Sequence, residues 1–455
     1  MNSLKHLNPC HEGGNRVIVI GNGGREDAIR WKLQQHGHCI VESLADLTIV
    51  GPEVPLVDGI VDRHGAKHIV GPNRVAAKLE GSKLFAKQFM TRHDIPTARY
   101  MSYVRSPDGM NAAILDNMDR PTNEYPLVVK EDGLCAGKGV HVCKTDREFF
   151  QLLPQLFTNN IHKSKSNKIL VEEFIAGEEV SCFVLTDGYN YNLLPFVRDY
   201  KRAYNGNEGP NTDGMGATTY VPFMTERLED KIRKTIIEPT LYGCREDGMR
   251  YTGILYIGLM IKDGNPYVIE YNVRLGDPEC QAIMMIWDQD IYEPMYQSAH
   301  VNTDNPKPVI FSNDVAVTVT LCSGGYPSAY ETGYQIHGLD TLPEDVIAFR
   351  AGVEEREDGN LYTSGGRVLN ITARAETQAE ALAKVYAVIG EHGVHFENMH
   401  YRTDIGTTNE KIHATNKASQ WNQRRRGRRN TDECRTRFKN HSHNRRASLL
   451  SNRRG

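Results

Sequence analysis

The sequence predicts a multidomain protein of mixed α/β and α+β architecture that opens with a parallel sheet. Short apolar runs at 17–20, 47–50 and 67–70 each stop in a glycine turn. This is typical of parallel strands whose carboxyl ends meet at one edge of a sheet. Later apolar runs, such as those flanking Asp263-Gly264, indicate antiparallel hairpins. A chain of 455 residues has room for two to four domains.

The composition is that of an ordinary globular protein, with 39% hydrophobic and 24% charged residues. The formal charge of −3 hides an asymmetry, because residues 407–455 carry fourteen Lys and Arg against three Asp and Glu. No run approaches the roughly 18 apolar residues that span a bilayer, and the amino terminus lacks the apolar core of a secretory signal. Nine cysteines without CxxC pairing argue against a zinc site or a disulfide scaffold. We therefore expect a reducing, cytoplasmic location and no membrane partner.

A strand that ends in Glu270 and Asn272 predicts a metal site. Residues two apart on a strand share a face, so one carboxylate and one amide oxygen point the same way. Such hard oxygen ligands suit Mg²⁺, with nucleotide phosphates filling the remaining positions. For this pair alone, a solvated strand running into the Asp277-Pro278 turn would be the better interpretation; glycine loops elsewhere in the chain favour the metal.

Two glycine-rich turns point to phosphate binding. The turn at 21–26 lies between a strand and a helix, where backbone N–H groups can meet a phosphate. Its match to GxGxxG is partial, and a plain α/β turn fits as well. The segment 131–140 joins two strands through Gly137, Lys138 and Gly139, which suits a flap over phosphates. A simple hairpin turn is the alternative, because P-loop spacing is absent.

Two further stretches carry charge beside apolar strands. The strand at 169–175 runs into Glu179, which suits an adenine slot with a ribose contact, and a solvated acidic turn is the alternative. Asp199 and Arg202 precede a glycine-rich polar loop at 209–216. That loop is typical of an anion or substrate clamp, and a plain solvated loop fits equally.

These motifs, in this order, resemble the phosphoribosylamine–glycine ligases of the ATP-grasp superfamily. The likeness extends from about residue 16 to 406 and is specific as an ensemble, whereas the single motifs are not. The stretches that carry it are 21–26, 51–55, 82–90, 128–140, 171–181, 199–216, 253–281 and 365–369. The resemblance implies an ATP-grasp fold behind a Rossmann-like domain, and a cytoplasmic enzyme of purine synthesis, either monomer or homodimer. The implied reaction is ATP-dependent ligation of glycine to 5-phosphoribosylamine through a glycyl phosphate, with Mg²⁺ or Mn²⁺.

The resemblance also implies site residues. For ATP, they are Lys83, Lys130, Gly137, Lys138, Gly139, Glu172, Glu173, Phe174, Ile175, Glu179 and Arg202. For the other substrates, they are Gly24, Arg25, Glu26, Pro52, Glu53, Asp199, Asn211, Thr212, Gly214, Met215, Gly216, Arg274 and Asp277. Glu270 and Asn272 would hold the metal. Catalysis would rest on Lys138 at the ATP phosphates, Arg274 at the transferring phosphoryl group and Asp277 at the glycine amine.

Three departures from the family pattern leave other interpretations open. The stretch from Glu26 to Gly51 is too short for a βα unit that the family has, Asp27 replaces a histidine, and Asp213 replaces a glycine. The chain is then an active ligase, or a degenerate ATP-binding homologue or fragment that has lost phosphoribosylamine ligation. An ATP-grasp ligase acting on another carboxylate is a further alternative.

The predicted domains follow these motifs. We expect a disordered amino terminus (1–15), a shortened Rossmann-like substrate domain (16–81), an ATP-grasp domain (82–301), a small α/β domain (302–406) and a basic disordered tail (407–455). The arginine run at 424–429 indicates RNA binding or nuclear targeting, so a nucleic-acid-binding protein is another alternative. A translated non-coding stretch explains the tail equally well.

Overall fold

The computed structural model describes residues 13–64, 68–135, 139–161, 165–303 and 306–407. The expectations for residues 1–12, Gly137, Lys138 and the basic tail from 408 onward lie outside these residues. In the described part of the chain, no helix is long and apolar enough to cross a membrane.

The amino-terminal segment is a four-stranded parallel sheet in the order β2-β1-β3-β4. Its elements are β1 (Arg16–Ile20), α1 (Gly24–Gln35), β2 (Cys39–Ile40), β3 (Leu47–Val50), α2 (Glu53–Val57), α3 (Ile60–Arg63) and β4 (Ile69–Val70). Adjacent β1 and β3 run parallel, so the glycine turns that follow them open at the same edge. The predicted strand, glycine turn and helix at the start of the chain are confirmed.

The connection between β2 and β3 is short. Ile40 and Leu47 both pair with Val17, on opposite sides of β1. Residues 41–46 cross beneath the start of β1, where the Asp46 carboxylate accepts the Arg16 N–H at 2.8 Å, and they form no helix. Six residues suffice because two strand spacings are only about 9.6 Å.

The β2 residue Cys39 is disulfide-bonded, whereas the six other described cysteines are free thiols.

The central segment contains two antiparallel sheets, β5-β8-β6-β7 and β10-β9-β15-β16. Its first elements are α4 (Lys78–Gly81), α5 (Lys83–Arg92), β5 (Tyr100–Val104), α6 (Pro107–Met118), β6 (Leu127–Glu131), β7 (Val140–Cys143), α7 (Asp146–Phe157), β8 (Lys168–Glu173), β9 (Glu178–Thr186) and β10 (Tyr191–Leu193). Next come β11 (Arg198–Asp199), β12 (Arg202–Tyr204), β13 (Glu208–Asn211), β14 (Gly216–Thr218), α8 (Glu226–Ile232), α9 (Glu238–Glu246), β15 (Gly253–Lys262), β16 (Asn265–Asn272), α10 (Glu279–Ile286) and α11 (Tyr292–Ser298). A π-helical turn, Arg233–Ile237, joins α8 to α9.

The carboxyl-terminal segment completes a third sheet, in the order β11-β14-β17-β21-β18 with β22 beside β17. Its elements are β17 (Val315–Ser323), β18 (Val346–Arg350), β19 (Val353–Glu355), β20 (Leu361–Thr363), β21 (Arg367–Ala375), α12 (Gln378–Ala387) and β22 (Met399–His400). Strands β11 and β14 come from the central segment, although the boundary predicted at 302 separates them from this sheet. They flank the 209–216 loop, which is therefore supported by the third sheet.

Helix α10 lies where the segments meet. All eight of its residues are buried, and it packs against α1, β17 and β21. A helix that is apolar on most sides requires neighbours all round, and each fully buried Ile or Met contributes about 1.5–3 kcal/mol. Its burial fixes the turn before it, residues 274–278, against both the first and the third sheet.

Candidate active site

Glu270 and Asn272 lie at the end of β16. The register with β15 puts Gly258 opposite Glu270, and a Cβ on that glycine would lie 2.9 Å from Glu270 Cγ. The glycine thus leaves room for the carboxylate, whose side chain keeps 38% exposure. Among the described residues, no three His, Cys, Asp or Glu side chains could hold a metal together. A carboxylate and an amide oxygen nevertheless fit Mg²⁺ if phosphate oxygens complete its shell.

Lys201 lies between Glu270 on β16 and Glu179 on β9. Its ammonium lies 2.5 Å from Glu179 Oε1 and 3.5 Å from Glu270 Oε1. Burial alone would raise the pKa of Glu270, but the charges of Lys201 and further lysines outweigh it and lower that pKa. Its neighbour Arg202, a predicted ATP contact, donates to the Gly209 carbonyl at 2.8 Å. Lys201 belongs to the charged run at 199–202 that precedes the 209–216 loop, and that run was its signal in the sequence.

A buried lysine pair shares Glu172. Lys130 Nζ lies 3.1 Å and Lys87 Nζ 2.9 Å from Glu172 Oε2, and Lys130 also donates to the Ile269 carbonyl, beside Glu270. Burial lowers the pKa of Lys87 to about 8, against the opposing effect of Glu172. Lys87 was absent from the predicted site, although its one-turn spacing from Lys83 on α5 was visible in the sequence.

The start of α5 is held by residues 132–133, which follow β6. Ser82 caps the helix by accepting the Phe85 N–H, and Asp132 accepts both the Ser82 hydroxyl and the Leu84 N–H. Lys83 consequently donates to the Gly133 carbonyl at 2.8 Å. Across the flap, the Glu131 N–H donates to the Gly139 carbonyl at 2.9 Å.

Glu172 and Glu173, in the stretch predicted to line an adenine, point to opposite faces of β8. Glu172 is buried, while Glu173 faces outward and accepts from Arg99 Nε at 2.8 Å. Phe174 keeps 38% exposure and Ile175 is buried. The stretch predicted to line an adenine thus exposes Phe174 and buries Glu172 and Ile175.

Arg274 is held between two carboxylates. Its guanidinium lies 3.3 Å from Glu53 Oε2 and 2.9 Å from Glu80 Oε1, and it donates to Asn272 Oδ1 at 3.3 Å. Glu80 also accepts the Val273 N–H at 2.7 Å, and burial raises the pKa of this carboxyl. Glu80 was not predicted because its partners lie almost 200 residues away.

Asp277 is fully engaged on the other side of the turn. It accepts from Gln281 Nε2 at 2.8 Å and from the Arg25 N–H at 3.3 Å, and Arg367 Nη2 lies 3.5 Å away. Burial would raise the pKa of Asp277, but Arg367 and Arg25 lower it overall. Arg367, which the sequence analysis includes in the 365–369 stretch, thereby connects β21 to the site.

The first glycine turn is built around Glu26. Glu26 accepts from Arg25 Nε at 2.7 Å and from the Gly23 N–H at 2.6 Å. A Cβ on Gly51 would lie 2.0 Å from Glu26 Oε1, so only glycine fits there. Pro52 follows as the residue before α2, and Gly24 opens α1. The turns after β1 and β3 are thus locked together.

The 209–216 loop closes onto the Asp277-Pro278 turn. Asn211 pairs with Arg202 in the β12–β13 hairpin, and the Thr212 hydroxyl accepts the Gly214 N–H at 3.0 Å. Gly214 has φ +119, and a Cβ there would lie 2.4 Å from Pro278 Cδ. The last residues of the loop, Met215 and Gly216, are buried against β17.

Two of the departures from the family pattern have defined positions. The Asp27 carboxylate accepts the Arg350 N–H at 2.8 Å, so it faces β18 rather than the glycine turn. The Asp213 carboxylate accepts from the Tyr326 hydroxyl at 3.3 Å. Both added charges are directed to the carboxyl-terminal segment.

Comparisons with known proteins agree with this geometry. The family profile described as phosphoribosylglycinamide synthetase, ATP-grasp (A) domain, matches residues 81–280, and the C domain of the same family matches 316–408. The phosphoribosylamine–glycine ligase of Chlorobaculum tepidum is 38% identical over 432 residues, covering 86% of this chain and 99% of that protein. The bifunctional purine biosynthetic protein of Pichia angusta is 36% identical over 89% of this chain, which spans only 55% of that protein. The crystal structure of the Thermotoga maritima phosphoribosylamine–glycine ligase superimposes with a TM-score of 0.74 at 34% identity, covering 86% of this chain and 99% of that one.

The fold and the site together define an ATP-grasp enzyme, as the sequence predicted. Within that class, the chain belongs to the phosphoribosylglycinamide synthetase family, whose members include the phosphoribosylamine–glycine ligases.

Proposed function

We propose that this chain catalyses the ATP-dependent ligation of glycine to 5-phosphoribosylamine, forming glycinamide ribonucleotide, ADP and phosphate. The observation that carries the proposal is the meeting of Lys130, Lys201, Glu270 and Asn272 at one strand end, beside the Arg274–Asp277 turn. Identity of 38% across 99% of a phosphoribosylamine–glycine ligase supports the same reaction.

The first step transfers the γ-phosphoryl group of ATP to the glycine carboxylate. No protein nucleophile is needed, so the residues position the reactants and neutralise charge. Lys83, Lys130 and Lys138 are proposed to meet the phosphates, and Glu179 the ribose. Mg²⁺ or Mn²⁺ held by Glu270 and Asn272 would supply further phosphate neutralisation.

The second step is attack of the phosphoribosylamine nitrogen on the glycyl phosphate. Arg274 is proposed to stabilise the phosphoryl group as a planar fork, oriented by Glu53 and Glu80. Asp277 is proposed to meet the glycine ammonium. The turns at 24–26 and 52–53 and the 209–216 loop are proposed to hold phosphoribosylamine.

A second candidate is a homologue that binds ATP but no longer ligates phosphoribosylamine. The two-residue β2 and the short 41–46 connection favour it, because the turns proposed to hold that substrate lie in the same sheet. An ATP-grasp ligase for another acid would instead release ADP with a carboxylate other than glycine.

Incorporation of radiolabelled glycine separates these candidates. We expect label to enter an anionic product only when ATP, Mg²⁺ and phosphoribosylamine are all present. ADP binding without label incorporation would reject the ligase and favour the degenerate homologue.

Cytoplasmic location, a monomeric or homodimeric state and nucleic-acid contact by the basic tail belong to the same proposal. Truncation at Gly406 should abolish any salt-sensitive RNA affinity if the tail provides it. Unchanged affinity after truncation would reject that role.

A further inference from the structure

Asp199 is a site carboxylate that the reaction steps above leave without a chemical role. It ends β11, and its Oδ1 is buried with no hydrogen-bond partner among the described residues. A Cβ on Gly214 would lie 2.9 Å from that oxygen, and the same Cβ would lie 3.3 Å from the Asp277 carbonyl. Asp199 is therefore placed between the 209–216 loop and the Asp277 turn.

Its position also faces the nucleotide side. Lys201, two residues further on, is one of the charges that act on Asp199 and contacts Glu179 and Glu270. Asp199 thus lies between the residues proposed for the phosphates and those proposed for phosphoribosylamine. The amine must meet the glycyl phosphate in this region.

The other carboxylates of the site already have partners. Glu26 accepts from Arg25 and Gly23, and Glu53 pairs with Arg274. Asp277 accepts from Gln281 and the Arg25 N–H. Glu279 accepts the Ser181 hydroxyl at 3.0 Å, and Glu179 and Glu270 share Lys201. A proton transferred to any of these would disrupt an existing contact.

We propose that Asp199 accepts the proton that the phosphoribosylamine nitrogen loses during ligation. The nitrogen lone pair forms the new C–N bond to the glycyl carbonyl carbon, and the C–O bond to phosphate breaks with its electron pair leaving on phosphate. One N–H proton moves to Asp199 and then to solvent. No oxidant or further reactant is required.

The surroundings of Asp199 suit a base. Burial raises the pKa of Asp199 most, and the charges of Glu279 on α10 and Glu179 on β9 raise it further. The positive charges of Lys201 and of Arg367 on β21 lower it. The net direction is well above an ordinary aspartate, toward working pH, where general bases are most effective.

The inference rests on the proposed function, and two assays keep their failures apart. The first is hydroxylamine trapping of glycyl phosphate, which reports the formation of this intermediate without phosphoribosylamine. The second is the complete reaction with phosphoribosylamine across a pH series. The variants are Asp199→Asn, Glu279→Gln and, as a matched control, Glu178→Gln, which alters the exposed pair with Arg198 next to Asp199.

We expect Asp199→Asn to lower the complete reaction about 100-fold or more and to keep hydroxamate formation within about threefold of wild type. The rate of the complete reaction should fall toward acid pH in wild type, whereas in Asp199→Asn it should not. Glu279→Gln should shift that fall to lower pH, because a charge that raises the Asp199 pKa is removed. Glu178→Gln should match wild type.

Equal loss of both reactions in Asp199→Asn, or an unchanged acid limb in that variant, would overturn the role of Asp199. If wild type forms no hydroxamate, the pH dependence of the complete reaction on the acid side alone decides whether Asp199 has this role. Wild type without ADP release under any condition would instead overturn the proposed function.

Discussion

The Lys201 ammonium lies 3.5 Å from the Glu270 carboxylate, and Lys201 comes first among the charges that lower the pKa of Glu270. A lysine on the segment that follows β11 thereby influences the charge of the proposed metal ligand on β16. The site depends on this packing between segments, since neither strand end alone would hold an ionised, partly buried carboxylate.

Lys201→Gln should make Mg²⁺-dependent ADP binding more sensitive to acid. Removing the ammonium raises the pKa of Glu270, so binding should be lost at a higher pH than in wild type. Calorimetric titration of MgADP binding from roughly pH 4.5 to 8, a range that begins near the ordinary pKa of a glutamate, measures the pH at which binding is lost. Lys234→Gln, on the surface of the chain, serves as control. Superimposable pH curves for Lys201→Gln and wild type would contradict the prediction.

Glu80→Gln should destabilise the fold. The substitution removes one of the two carboxylates that neutralise the buried Arg274. Removing one partner of a buried ion pair costs about 3 kcal/mol. The shift of Tm in thermal unfolding measures the effect. Glu354→Gln breaks an exposed pair with Arg356 and should cost less than about 1 kcal/mol. Equal shifts for the two variants would show that Glu80 is not an essential partner.

Lys87 predicts a rise of stability at alkaline pH. Its pKa is lowered from 10.5 in the unfolded chain to about 8 in the fold, so the unfolded state binds more protons between these values. Stability then increases with pH across that window, by up to about 3 kcal/mol. The free energy of unfolding of wild type minus that of Lys87→Met, measured at pH 7 and 10, isolates this contribution. A difference that stays constant or falls would refute it.

Asp27→His tests whether the aspartate impairs substrate binding. The carboxylate faces Arg350 rather than the glycine turn, so restoring the family's histidine should leave the KM for phosphoribosylamine within about twofold. Loss of the hydrogen bond should lower stability by about 1 kcal/mol. Steady-state kinetics and thermal unfolding measure the two effects. A several-fold fall in KM would show that Asp27 does repel the substrate.

The sequence predicts the parts of the site that depend on local periodicity. Glu270 and Asn272 share a strand end because the side-chain period of a strand is two. The glycine turn before α1 also follows from its immediate neighbours. The fold class followed from motif order, and the family comparison confirms it.

Long-range partners could not be predicted in this way. Glu80 meets Arg274 across almost 200 residues, and Lys201 meets Glu270 from the segment that follows β11. Arg202, one residue along, donates to the Gly209 carbonyl within the β12–β13 hairpin. Nothing in local propensity distinguishes the two basic neighbours.

ADP release with single omission of ATP, Mg²⁺, glycine or freshly generated phosphoribosylamine tests the central claim most directly. The account predicts ADP only when all four are present, and none from Glu270→Gln protein under the same conditions. MgADP binding without ADP release from the complete mixture would contradict it. Restoring the longer family sequence between Glu26 and Gly51 should then restore turnover.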